Sequence, residues 1–382
     1  MADLIFKVSP NIILGSYVIT RLGQYAQEFG SKYMIIADPI VKEYGQLEKI
    51  TKILTEKNVE YFIYEEENTS GDTKILQNAL DLARVSHADG IIAIGGGRVI
   101  SLGKAVCSLY FEEDDLYEYI DGKKAESKGL NLICIPTTMR DGFVFTDRTP
   151  VVDARSSKIK LIKSQNGLCK VILWDPSLSV AFSEKQISSM TVETLAVAVE
   201  AYMSQKATFF SDMLVEKSIE LLKISMDGAE SLNVTTPKEV LYTQGGCMAS
   251  LAAATSSLGV CSLLSYALNA RYKISRSLTS AIMLPYVIED GGKFQAARLS
   301  KIAKILNICD KDAEDSAAVN SLVDFTRQQI AKINIPGRLK ELDLTMDQIA
   351  IAVEDCGELD IMNTLPRSMT TDDLFELVKL AF

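Results

Sequence analysis

Gly90-Ile91-Ile92-Ala93-Ile94 runs straight into Gly95-Gly96-Gly97, and Leu102 to Tyr110 carries helical periodicity after it. An apolar run without polar alternation reads as a strand buried on both faces, the mark of a parallel sheet covered by helices. Glycines at its end let the backbone approach an anion, and a following helix start offers free N–H groups and a positive dipole end. The turn therefore reads either as a phosphate cradle or as a tight strand-to-helix turn with no ligand.

The same alternation extends outward. Tyr33 to Ala37, Glu60 to Tyr64 and Leu130 to Ile135 read as further strands, with helices over Gln46 to Lys57 and Thr73 to Ser86 between them. After Asp175-Pro176 the pattern becomes helical: Glu184 to Ala207, Asp212 to Ser225, Leu241 to Arg271, Leu278 to Val287, Phe294 to Leu306, Ala317 to Ile333 and Thr371 to Phe382. We expect a Rossmann-like α/β nucleotide-binding domain over 1–180 and an all-helical domain over 181–382. The 382-residue length suits two domains.

A net charge of −10 disfavours a nucleic-acid partner, whose affinity rests on Lys and Arg. The longest uncharged run, Val240 to Ala270, holds polar residues from Thr243 to Asn269, so it reads as a helix buried in protein and no membrane partner is expected. Met1-Ala2-Asp3-Leu4 shows no basic-then-apolar leader, and seven scattered cysteines show no paired spacing. Both fit a cytoplasmic protein. His87 is the single histidine, which excludes any site needing two imidazoles; it reads as a helix C-terminal residue. Cys261 reads as a buried inert thiol, and Glu65-Glu66-Glu67 and Glu112-Glu113-Asp114-Asp115 as solvated loops.

Several motifs in one order resemble the iron-containing alcohol dehydrogenase family, which shares its fold with dehydroquinate synthase. Ile92-Ala93-Ile94-Gly95-Gly96-Gly97-Arg98 is similar to its IAIGGGS, and Ile135-Pro136-Thr137-Thr138-Met139-Arg140-Asp141-Gly142 to its IPTTxGTG. Asp175-Pro176, Val192 to Tyr202 (similar to GxDALTHAIEAY) and Pro366-Arg367 follow in register. The resemblance implies a homo-oligomer, a dimer, and a cofactor site at Asp38, Gly95, Gly96, Gly97, Arg98, Lys104, Thr137, Thr138 and Arg140. Asp38 would accept from the adenosine ribose and favour NAD. Larger residues at Arg140, Asp141, Phe143 and Val144, with Arg98 beside the glycines, would suit a compact anionic small-molecule ligand too.

The resemblance also implies a metal held by four side chains, which fall by position on Glu193, Val197, Ser262 and Arg276; a family histidine near the substrate falls on Tyr266. One carboxylate and no imidazole survive, so no metal is expected and no catalytic residue is assigned. Arg276 is expected to pair with Glu193. Three readings stay open. The first is an NAD(P)-dependent oxidoreductase of alcohols or aldehydes that has lost metal-dependent oxidation. The second is a pseudoenzyme that binds an anionic metabolite or nucleotide in the inter-domain cleft. The third is a metal-free reductase with Tyr266 as proton donor.

Overall fold

The computed structural model of the chain describes residues 10–65, 71–165, 169–227 and 236–382. Glu66, Glu67 and the Met1 to Leu4 leader reading lie outside them. One compact unit ends at Ala181 and a second begins at Phe182.

The first unit holds β1 (Asn11–Leu14), α1 (Leu22–Phe29), β2 (Lys32–Ala37), α2 (Pro39–Glu43), α3 (Gln46–Glu56), β3 (Glu60–Tyr64), α4 (Thr73–Val85), β4 (Gly90–Gly95), α5 (Gly97–Leu109), α6 (Leu116–Ile120), β5 (Lys124–Ala125), β6 (Asn131–Pro136), β7 (Arg148–Asp153), β8 (Lys158–Ser164) and β9 (Val171–Trp174). Six strands form a parallel sheet in the order β1-β9-β6-β4-β2-β3. Alternate residues Ile35, Ile92, Ile94, Ile133, Ile135 and Leu173 point to one face and pack on Leu22, Leu47, Ile50 and Leu54 of α1 and α3. The other alternate set, Met34, Ile91, Ala93, Leu132 and Cys134, is equally buried, and α5 packs on β4 and β6. Burial on both faces is why these strands carry no polar alternation.

β5, β8 and β7 make a separate three-stranded sheet, β7 antiparallel to β8. It was not expected from sequence. The acidic run beside it is not simply solvated either. Glu112 accepts from the Tyr119 hydroxyl (2.6 Å) and from the Glu126 and Ser127 amides (both 2.8 Å), and Asp115 caps α6 through the Tyr117 amide (2.8 Å). His87 follows α4 as an exposed residue with a left-handed φ of 51°.

The second unit is helical: α7 (Glu184–Met203), α8 (Phe209–Asp227), α9 (Lys238–Thr255), α10 (Val260–Tyr272), α11 (Arg276–Ile305), α12 (Asp315–Lys332), α13 (Met346–Gly357) and α14 (Thr371–Lys379). α7 is central. Every residue from Thr191 to Met203 is buried, and it packs on α8 through α12. The single helix expected over Leu241 to Arg271 is two helices, α9 and α10, meeting at 96°. Ser256 (φ −124°, ψ −105°) and Gly259 (φ −133°, ψ −154°) leave helical geometry between them. Among the described residues no single helix is long and apolar enough to cross a membrane. The two helices expected around Pro285 and Phe294 are both present in α11: a kink at Gln295 (φ −133°, ψ 37°) divides the element, and Pro285 lies inside the first helix without ending it.

Candidate functional site

In the first unit the chain leaves β2 toward β3 on one side, and leaves β4 toward β6 on the other. Crevices at the carboxyl ends of strands where the order reverses are where open parallel sheets bind ligands. The loops after β2, β4 and β6 are stitched together at this edge. The Asp38 amide donates to the Ile94 carbonyl (2.9 Å), and the Thr137 amide donates to the Gly95 carbonyl (3.1 Å). Gly95 has φ 154°, and a Cβ there would sit 2.8 Å from Asp38 Cβ and 3.1 Å from Val99 Cβ. Gly95→Ala is therefore expected to lower stability by about 2 kcal/mol, through backbone strain plus overpacking, read by urea denaturation.

Gly96 is the N-cap of α5 and brings no side chain to its first turn, which carries no acidic residue. Arg98 stands exposed in that turn. The dipole end and the arginine together make the turn cationic. Asp38 Oδ2 lies 4.0 Å from where a Gly96 Cβ would be, so one carboxylate borders the turn.

The loop after β6 is tied down by Lys104. That lysine rises from α5 but is fully buried. Its ammonium donates to the carbonyls of Phe143 (2.5 Å), Thr146 (2.9 Å) and Arg148 (3.0 Å). Those are all the donors an ammonium has, so Lys104 fixes the loop. Burial pulls its pKa below the ordinary lysine value, and Asp141 pushes partly back. Asp141 itself accepts from the Phe143 (2.8 Å) and Val144 (2.9 Å) amides. Thr138 is held twice: its hydroxyl donates to the Arg140 carbonyl (3.1 Å), and its own carbonyl accepts from Trp174 Nε1 (2.9 Å). Arg140 is buried, unlike Arg98.

In the helical unit, Glu193, Val197 and Glu200 lie on one face of α7 by spacing, and all three are buried. Ser277, the second residue of α11, donates its hydroxyl to the Glu193 carboxylate. Arg276 instead lies over the Tyr266 ring, its guanidinium carbon 4.6 Å from the centroid. Among the described residues no Glu193–Arg276 ion pair forms, which corrects the pairing expected from charge. Ser262 is engaged by Glu200, whose carboxylate accepts from the Ser262 amide (3.1 Å) and hydroxyl (2.5 Å).

Glu200 lies within the Val192 to Tyr202 motif, where the sequence assigns it no role. Its only signal was its place seven residues beyond Glu193. Burial pushes its carboxyl above the ordinary carboxylate value, against hydrogen bonds from Ser262 and from the Gly259 and Cys261 amides. Burial also drives the Cys261 thiol well up, with Glu200 adding to it, which disfavours the thiolate. Among the described residues no group of three or more His, Cys, Asp or Glu side chains is placed to hold a metal ion.

Family models meet this fold over both units. The iron-containing alcohol dehydrogenase model matches residues 9–176, and the C-terminal model of the Fe-containing alcohol dehydrogenase family matches 187–382. The chain belongs to the iron-containing alcohol dehydrogenase family. Within that family it is 26% identical over 379 residues to the probable alcohol dehydrogenase EutG of Escherichia coli (strain K12), covering 98% of this chain and 94% of that protein. It shares the fold of a 1,3-propanediol oxidoreductase with TM-score 0.92, at 20% identity over the whole of both chains. It also shares that of the sulfoacetaldehyde reductase from Bifidobacterium kashiwanohense in complex with NAD+, with TM-score 0.84 and 19% identity, over 100% of this chain and 98% of that one.

Proposed function

We propose that this iron-containing alcohol dehydrogenase relative binds NAD at the glycine turn and does not run alcohol oxidation through a bound divalent ion. One observation carries the second half. Of the four ligand positions, Glu193 and Ser262 are taken by protein hydrogen bonds, Val197 has no donor atom, and Arg276 is a fixed cation. A divalent ion needs several deprotonated donors together, and this set does not fit one.

The nucleotide half is supported by the Asp38 carboxylate bordering a cationic helix start at the strand-order reversal. A carboxylate there accepts from ribose hydroxyls and repels a 2′-phosphate. The NAD+ complex of the sulfoacetaldehyde reductase supports the same reading. The seven free cysteines support a reducing, cytoplasmic setting.

Thermal-shift titration with NAD and NADP, together with elemental analysis of the purified chain, tests both halves. NAD at a hundredfold excess over its Kd is expected to stabilise the chain by about 2.7 kcal/mol. NADP is expected to do less, and bound iron and zinc to fall far below one per chain. One tightly held transition ion per chain defeats the metal-free reading; indifference to NAD defeats the nucleotide reading. Exposed Arg98 at the same turn favours a second reading, a protein that binds a nucleotide or compact anion without turning anything over. NAD binding with no NAD reduction by any small alcohol would select it.

A further inference from the structure

Arg276 is an unusual cation. It opens α11, whose dipole already makes that end positive. No acidic residue lies in the first turn, and the N-cap Ser275 makes no side-chain capping bond. The side chain is half-buried. Its guanidinium lies over the Tyr266 ring; among the described residues it donates no hydrogen bond and joins no ion pair. The nearby carboxylate, Glu193, is occupied by Ser277. A guanidinium steadied on an aromatic ring keeps a planar fork of N–H donors, matched in shape to a carboxylate. Placed at a positive helix end and partly exposed, that fork is open to an anionic acceptor.

We propose that Arg276, braced on Tyr266, is the recognition point for the carboxylate of a small substrate or ligand. This rests on the reading that no divalent ion occupies the same place, and it narrows the ligand class from small alcohols and aldehydes in general to those bearing a carboxylate.

The test compares two four-carbon probes on the full chain by isothermal titration calorimetry, in chelator-treated buffer: 4-hydroxybutanoate and neutral butan-1-ol. The wild type is expected to bind the carboxylate probe at least tenfold more tightly. Arg276→Met is expected to abolish that preference while leaving NAD affinity unchanged, and Arg276→Lys to keep only part of it. No preference in the wild type, or a preference that survives Arg276→Met, overturns the proposal. Inorganic phosphate competing as well as 4-hydroxybutanoate overturns the carboxylate class. Should Arg276→Met not fold, phenylglyoxal modification of the wild type, mapped by peptide mass, replaces it. Protection of Arg276 by 4-hydroxybutanoate supports the proposal, and none refutes it. Metal content and NAD affinity, measured on the same samples, report separately on the reading beneath.

Discussion

Glu200→Ala is expected to destabilise the helical unit by about 3–5 kcal/mol, a drop of roughly 10 °C in the melting temperature. The carboxylate is almost fully buried and closes the start of α10, whose N-cap, Gly259, has no side chain to do so. It accepts from the Ser262 amide and hydroxyl and from the Gly259 and Cys261 amides. Alanine leaves those donors dry and without an acceptor. Urea denaturation measures the loss; a change below about 1 kcal/mol would show that water takes over the cap.

Glu200 also sets a pH dependence. Its folded carboxyl titrates above the ordinary carboxylate value because burial outweighs the hydrogen bonds it receives. Folding therefore takes up a proton in the interval between the two values. The group's contribution is fully present below the ordinary value and is lost as pH rises through the folded one. Glu200→Gln is expected to flatten that part of the stability–pH curve. An unchanged slope in the glutamine variant would assign it to other groups.

Lys104→Met is expected to lower the stability of the N-terminal unit by about 3 kcal/mol, or roughly 6–12 °C in melting temperature. Methionine approximates the volume but leaves the carbonyls of Phe143, Thr146 and Arg148 without their buried donor. Because α5 also begins at the glycine turn, the loop from Phe143 to Arg148 loses its tie to the helix that carries the turn. Differential scanning calorimetry checks the loss. A variant as stable as the wild type would show that the loop's backbone finds other partners.

Lys104 also marks where residue-level reading stopped. The family resemblance implies a cofactor role for it, seven residues after Gly97, and says nothing of its backbone partners. Only the packing of α5 against β7 shows its ammonium turned inward. Likewise, nothing local distinguishes Arg276 from Ser277 as partner of Glu193, because that choice depends on how α11 begins beside α7. The break at Ser256 to Gly259 was hidden within an unbroken uncharged run, since both helices it separates are buried.

Local residue patterns alone place the parallel strands β2, β3, β4 and β6, the glycine turn after β4, and the change to helices after Asp175-Pro176. Periodicity and continuous apolarity are local properties that a run of residues carries wherever it is placed. The tertiary structure decided the rest. Short β1 and β9 become strands because each finds a neighbour in the sheet, and the order β1-β9-β6-β4-β2-β3 depends on pairings between residues as distant as Asn11 and Val171. The partners of Glu193, Glu200, Ser262, Lys104 and Arg276 were decided in the same way. Each buried polar atom takes whichever donor or acceptor the packed helices and loops bring within about 3 Å, and that proximity is not written in any one segment.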